Sequence, residues 1–375
     1  FAAFPLTFVA FWRMRDRGYL LSKTVGLLIV GYLAWLLPSL KLLPYRRGLI
    51  LGVLVALSAL SAIVGWMQRR ELREFLRARW RLLVVSELLF LLFFFVFWLI
   101  RYSNPDLWHP AMGGEKPMDM AYLNAIIKST HFPPYDPWFA GGYINYYYFG
   151  WVVVATLIKL KAILPTVAYN LAIPTFFALL AMGSTSVVFN LIPDGEDEDG
   201  WFPRALGYGL VGALLVAVVG NLGELQLLWN GFKELGGKVS FESTIPGLVP
   251  LVQVIRGLWA WLGKGRNLPF RNEWWYWNAS RIMKHGEINE FPFFSFLYAD
   301  LHAHLTAMPF AVCALALASS FVVEPVRRLA GLAGDDEGEE ACASEKKPTR
   351  DEVGASVADD DTSASRKVGH SVRVA

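Results

Sequence analysis

Charge is what this sequence has least of: Asp, Glu, Lys and Arg make up 18% of its 375 residues, against 55% hydrophobic residues. A soluble domain of this length needs no such apolar fraction to fill its core, so a water-borne globule is excluded as the default and membrane residence takes its place. Cysteine is almost missing. One of the two lies in an apolar run (Cys313) and the other in a polar stretch (Cys342), which excludes a disulfide framework. The apolar runs lack the period-two alternation that barrel strands require, which leaves helices as the spanning elements. No basic stripe interleaved with aromatics occurs either, and the net charge is only +3, so nucleic acid is not an expected partner. A signal-peptide pattern is also lacking. The opening Phe1 to Trp12 reads like the end of a hydrophobic helix, and the expectation is a piece of a longer protein.

What is present is a series of apolar runs near the ~20 residues that cross a bilayer. They lie at 20–37, 48–67, 82–100, 148–164, 168–192, 205–222 and 305–323. The expected fold class is therefore all-α, a polytopic transmembrane helix bundle occupying residues 1–324, with a polar, disordered tail or linker at 325–375. From Gly331 onward eleven acidic residues face six basic ones, with almost no large apolar residue among them. Between Gln68 and Arg81 six arginines outnumber two glutamates, which marks that loop as cytoplasmic, and Arg13, Arg15 and Arg17 two crossings earlier carry the same bias. One further crossing delivers residues 101–145 to the extracytoplasmic side. There a helix is expected over Met120 to Thr130 with Asp119 as its N-cap. The second long polar stretch, 223–298, is rich in Trp and is expected to lie against the bilayer surface. Three runs separate the two stretches, and an odd number would set them on opposite faces. Either 249–262 is a further crossing, or 148–192 contains a broken or re-entrant helix near Pro165 or Pro174.

Three motifs can carry chemistry. Gly113 to Asp119 (GGEKPMD) offers Glu115 and Asp119 with Lys116 in a loop whose Pro117 opposes a regular helix. The two carboxylates suit a general base or a cation site; a solvated loop with a capping Asp is the plainer alternative. Phe132 to Trp151 (FPPYDPWFAGGYINYYYFGW) builds an aromatic wall on a non-helical path. Trp138, Tyr146 and Tyr147 can stack on a sugar ring and Asp136 or Asn145 can bond its hydroxyls, or the aromatics can simply form an interfacial belt. Glu290 to His304 (EFPFFSFLYADLHAH) supplies Glu290, Asp300, His302 and His304 beside an apolar run. On a helix Asp300 and His304 share a face; on an extended turn all three polar residues Asp300, His302 and His304 line one side, as a metal requires. Arg281 precedes this motif and is of the type that grips phosphate.

These three motifs, in this order, resemble the signature of the YYY membrane-protein family over residues 1–324, and that family is in turn similar to the GT-C glycosyltransferases. The resemblance implies a GT-C-like bundle in the cytoplasmic (plasma) membrane that takes a sugar from a polyprenyl-phosphate donor, a lipid-linked sugar. It implies that Glu115 or Asp119 is the acidic residue of the first large extracytoplasmic loop, with Asp300 and the two histidines beside it. It further implies a divalent cation, Mg or Mn, held by Asp119, Asp300 and His304. Two departures stand out: the usual HPH-like ending reads His302-Ala303-His304, and the first loop has no tight DxD pair. The competing readings are an ion- or proton-coupled transporter or channel, and a non-catalytic membrane assembly subunit.

Overall fold

A computed structural model describes residues 2–109, 114–192, 204–271, 277–283 and 285–329. All its regular elements are helical: α1 (Phe4–Ala10), α2 (Ser22–Ser39), α3 (Arg47–Met67), α4 (Arg69–Ala78), α5 (Trp80–Ser103), α6 (Lys116–Lys128), α7 (Phe149–Lys161), α8 (Pro165–Leu191), α9 (Arg204–Leu214), α10 (Gly223–Gly236), α11 (Leu248–Lys264), α12 (Pro292–Tyr298) and α13 (Ala303–Leu329). A π-helical turn, Leu215–Val219, continues α9. Five helices, α2, α3, α5, α8 and α13, are long and apolar enough to cross a membrane, and α9 with its π turn passes the same test only when taken together with α10, from which it is sharply bent. The chain is a polytopic helical membrane protein. Of the tail expected from residue 325, the first five residues continue α13; the remainder lies outside the described residues.

The central helix is α8, of whose span 78% is buried inside the protein, whereas α5 buries 11% and turns mostly to lipid. Gly, Ala, Ser and Thr at residues 181–186 let α8 pack closely against its neighbours. Its two ends mark the two sides of the bundle. At one end Tyr169 bonds Asp119, and at the other Asn190 bonds Asp16.

The expected crossing at 148–164 is not one. Its helix is only thirteen residues long, or ~20 Å at 1.5 Å each, too short for the hydrocarbon core. The left-handed residue Ala162 ends it, and Lys159 Nζ reaches back to the carbonyls of Tyr45 (2.8 Å) and Ser129 (3.3 Å) in the loops of the same side. Its other end is tied there too, since Trp35 donates to the Tyr148 hydroxyl at 3.2 Å. Hydropathy misled here because α7 is apolar for contact with protein: Trp151 through Thr156 are all buried. Helix α8 runs unbroken through Pro174 and descends, α9 and its π turn ascend, and the two crossings return the chain to its starting side. The parity conflict is thereby resolved without a crossing at 249–262. Helix α10 turns away from α9 by 69° and pairs with α11. Trp259, Leu222 and Leu262 on this hairpin are well exposed, as an element lying against the bilayer surface would be.

Candidate functional site

The first motif departs from expectation in the way it folds. Helix α6 begins at Lys116, four residues earlier than Met120, with Glu115 at its N-cap position and Pro117 in its first turn. Proline at that position starts a helix, because its missing N–H would have had no partner there and its φ is already helical. Asp119 is accordingly no cap. It lies inside the first turn with no exposed surface and points into the bundle.

The third motif arrives from above α13. Helix α12 stops at Ala299, which adopts φ 63°, and Asp300 to His302 form a short non-helical link before α13 starts at Ala303. That link is the turn geometry in which Asp300 and His302 both face the first motif. Asp300 Oδ1 accepts from Lys116 Nζ at 2.8 Å and its Oδ2 accepts from the Glu115 backbone N–H at 3.0 Å. The backbone N–H of Leu301 donates to Asp119 Oδ2 at 2.9 Å. Residues more than 180 positions apart thus share one cluster. Gly114 makes the approach feasible: it sits at φ 62°, and a Cβ there would come within 2.5 Å of Asp300 Oδ2.

Asp119 uses its two oxygens unequally. Oδ2 accepts from the Tyr169 hydroxyl at 2.9 Å and from Leu301 N–H, whereas Oδ1 has no aligned donor among the described residues. What faces Oδ1 is His302 Nε2, 3.4 Å away, and that same nitrogen lies 2.7 Å from Glu115 Oε2. Burial pushes the Asp119 carboxyl up to about 7, the Tyr169 hydrogen bond opposes the rise, and the negative charge of Asp300 adds to it. His304 turns the other way and contacts Glu290 Oε2 at 2.8 Å, which also accepts from Ser295 Oγ at 2.7 Å. The His304 contact, with help from Ser295, holds Glu290 below the usual carboxylate range. The two imidazoles stand 5.6 Å apart, edge to face.

The remaining sequence-derived residues divide. Tyr146 stacks on Trp151 and Tyr122, and burial together with the nearby carboxylates Glu115 and Asp119 raises its hydroxyl above the ordinary range. Tyr147, Trp138 and Asn145 are exposed, and Asp136 Oδ1 caps a turn by accepting from Trp138 N–H at 2.8 Å. Arg281 is not part of the cluster; it donates to the Gly286 carbonyl and lies over the Trp277 ring. Two residues escaped the sequence reading. Tyr169 occupies a long apolar run where nothing marks one tyrosine as special. Arg101, 5% exposed at the end of α5, donates to Asn170 Oδ1 at 2.6 Å, and its charge reaches Asp300. An arginine closing an apolar run beside Asn and Pro was the available signal.

The expected cation ligands do not fit a divalent metal. Both oxygens of Asp300 are engaged by Lys116 and a backbone amide, His304 pairs with Glu290, and among the described residues no three His, Cys, Asp or Glu side chains are placed to hold one metal ion. A lysine ammonium stands where a metal would need an open carboxylate. Beside the cluster, a groove of about 480 Å³ runs between α2 and α13 under Tyr146 to Gly150, lined also by Leu28, Trp35 and Phe310, and it reaches Ala303 between the two histidines. Gly150 permits the tight seam at its floor, since a side chain there would collide with Thr306.

Fold and site together define a polytopic helical membrane protein with a buried carboxylate and imidazole cluster and, next to it in the chain at Ala303, an apolar groove. The family described as uncharacterized membrane protein (DUF2298) matches residues 29–330, and the chain belongs to that family. No curated protein and no solved structure matches it.

Proposed function

We propose that the chain is a membrane glycosyltransferase of GT-C-like type, moving a sugar from a polyprenyl-phosphate donor to an extracytoplasmic acceptor at the plasma membrane. The observation that carries this reading is Asp119: a carboxylate with no exposed surface, one oxygen fixed by Tyr169 and Leu301, the other left open toward His302. A general base needs this combination of fixed orientation and a free lone pair. A carboxyl titrating at about 7 is also matched to neutral pH, available in both protonation states.

In the proposed step Asp119 Oδ1 takes the proton of the acceptor hydroxyl as its oxygen attacks the anomeric carbon. The bond from that carbon to the phosphate oxygen breaks, and the lipid phosphate leaves with the electron pair. Lys116 and Arg101, both buried, supply positive potential around the departing anion. The apolar groove beside Ala303 suits the isoprenoid tail, and the exposed Trp138 and Tyr147 offer faces on which an acceptor sugar can stack. The arginine-rich α4 packs through Leu72 and Phe75 on Phe4, Phe8 and Tyr19, at the Asp16 end of α8 and away from the cluster, which supports an extracytoplasmic site. Against a transporter, the titratable groups gather at the two ends of α8, and the Thr175, Ser184 and Thr185 hydroxyls between them bond their own helix.

The test is transfer by the purified full-length protein in lipid nanodiscs, offered radiolabelled polyprenyl-phosphate sugars. Labelled product is expected with wild type, and Asp119→Asn should lower its rate by about 10²-fold or more, the usual scale for losing a general base. Equal product from wild type and variant overturns Asp119 as the base, and no product with any donor overturns the transferase reading and favours a transporter or an assembly subunit.

A further inference from the structure

A base with no exposed surface has a problem that the reaction itself does not solve: the proton it takes must leave before the next turnover. The cluster contains a graded exit. Along the series Asp119, His302, Glu115, side-chain exposure rises from 0% through 13% to 57%. A single imidazole nitrogen, Nε2 of His302, stands between the other two, 3.4 Å from Asp119 Oδ1 and 2.7 Å from Glu115 Oε2. Asp119 Oδ1 and His302 Nε2 are also the two buried polar atoms of the cluster without an aligned hydrogen bond, and they face one another. Since Oδ2 is held by Tyr169 and Leu301, a proton on Asp119 can sit only on the oxygen that faces the imidazole.

We infer that His302 is a proton relay, carrying the proton from buried Asp119 to solvent-exposed Glu115; this rests on the reading of Asp119 as the base. Nε2 can accept only once its own proton has passed to Glu115 Oε2, 2.7 Å away, which leaves a neutral ring with its hydrogen on Nδ1. It takes the proton from Asp119 Oδ1 and becomes imidazolium while Asp119 returns to carboxylate. A small rotation of the ring aims Nε2–H at Glu115 Oε2, which accepts the proton and releases it to water, and the neutral imidazole is restored. Charge is conserved at each transfer and no co-reactant is needed. The surrounding groups define the field: Lys116 on α6, Arg101 on α5, Tyr169 on α8, Tyr146 from the loop, and Asp300 with Glu290 and His304 from the third motif. Lys116 is paired with Asp300 and His304 with Glu290, which leaves Glu115 as the exposed carboxylate that His302 touches.

The experiment reads the proton directly and requires no transfer activity. Full-length protein in nanodiscs is followed by infrared spectroscopy at the carbonyl stretch of protonated Asp119, identified as the band missing in Asp119→Asn, and the rate of its deuteron exchange is measured after rapid mixing into D₂O. His302→Gln should slow that exchange at least tenfold and Glu115→Gln by a smaller factor. Millimolar imidazole should restore most of the rate to His302→Ala, a rescue that a structural role would not show. Exchange at the wild-type rate in His302→Gln, or no rescue by imidazole, overturns the relay. If the relay holds and no sugar is transferred, glycosyl transfer is what fails; if transfer depends on Asp119 while exchange ignores His302, only the relay fails.

Discussion

Asp16 and Asp119 have the same exposure, none, and sit at opposite ends of α8, yet they are built for different ends. Asp16 is saturated. Its Oδ1 accepts from Gly18 N–H and Asn190 Nδ2, and its Oδ2 from Leu20 N–H and Ser186 Oγ. Every lone pair that matters is spent on tying the turn before α2 to the end of α8. Asp119 spends one oxygen in the same manner and keeps the other open. The contrast teaches that burial alone does not single out a candidate base; an unpartnered lone pair on an otherwise immobilised carboxylate does.

The comparison can be broken in four ways, taken from the largest expected effect to the smallest. The first is pH. Burial raises Asp119 from the ordinary carboxylate value of 3.8 to about 7, so the fold holds its proton more tightly than the unfolded chain does. The stability this contributes is full below the unfolded value and is lost as pH rises through about 7. A shift of that size is worth on the order of 4 kcal/mol, and thermal unfolding between pH 4 and pH 8 should show a decline that Asp119→Asn reduces. Burial also raises Asp16, so a residual decline of the same sign should survive in that variant.

Second, Asp16→Ala strands four buried donors and should cost about 3 kcal/mol or more, with transfer per folded molecule unchanged. Reduced turnover in the folded fraction would show that the two ends of α8 are coupled. Third, Tyr169→Phe removes a hydrogen bond to the ionised form of Asp119 and should cost about 1 to 2 kcal/mol. The same change should move the Asp119 infrared titration to higher pH; a move to lower pH would show that the hydroxyl favours the neutral acid. Fourth, Asp136→Ala removes one exposed turn bond and should change stability by about 0.5 kcal/mol or less, visible in a melting curve as a shift near its error.

The sequence was most informative where solvent writes directly on composition. Apolar length revealed the five long spanning helices and the run that became α9 with its π turn, and the first and third motifs supplied the residues that meet around Asp119. It was least informative where the surroundings of an apolar residue are protein and not lipid. Val152 to Ala155 are as hydrophobic as any spanning segment, and only their packing beneath α2 and α6 shows that α7 stays on one side. Pro117 was read as a helix breaker because its position relative to the first turn was unknown. Tyr169 and Asp16 were missed for a shared reason: each is one polar side chain whose meaning comes from partners 50 and 174 residues away.

Gly114 sets a tolerance for the whole arrangement. Since an added methyl there would overlap the Asp300 carboxylate, the width of a single hydrogen atom decides whether the halves of the cluster close. Alanine at this one position would act as a wedge, leaving each side chain of the cluster intact in kind while parting the stretches of chain that bring them face to face.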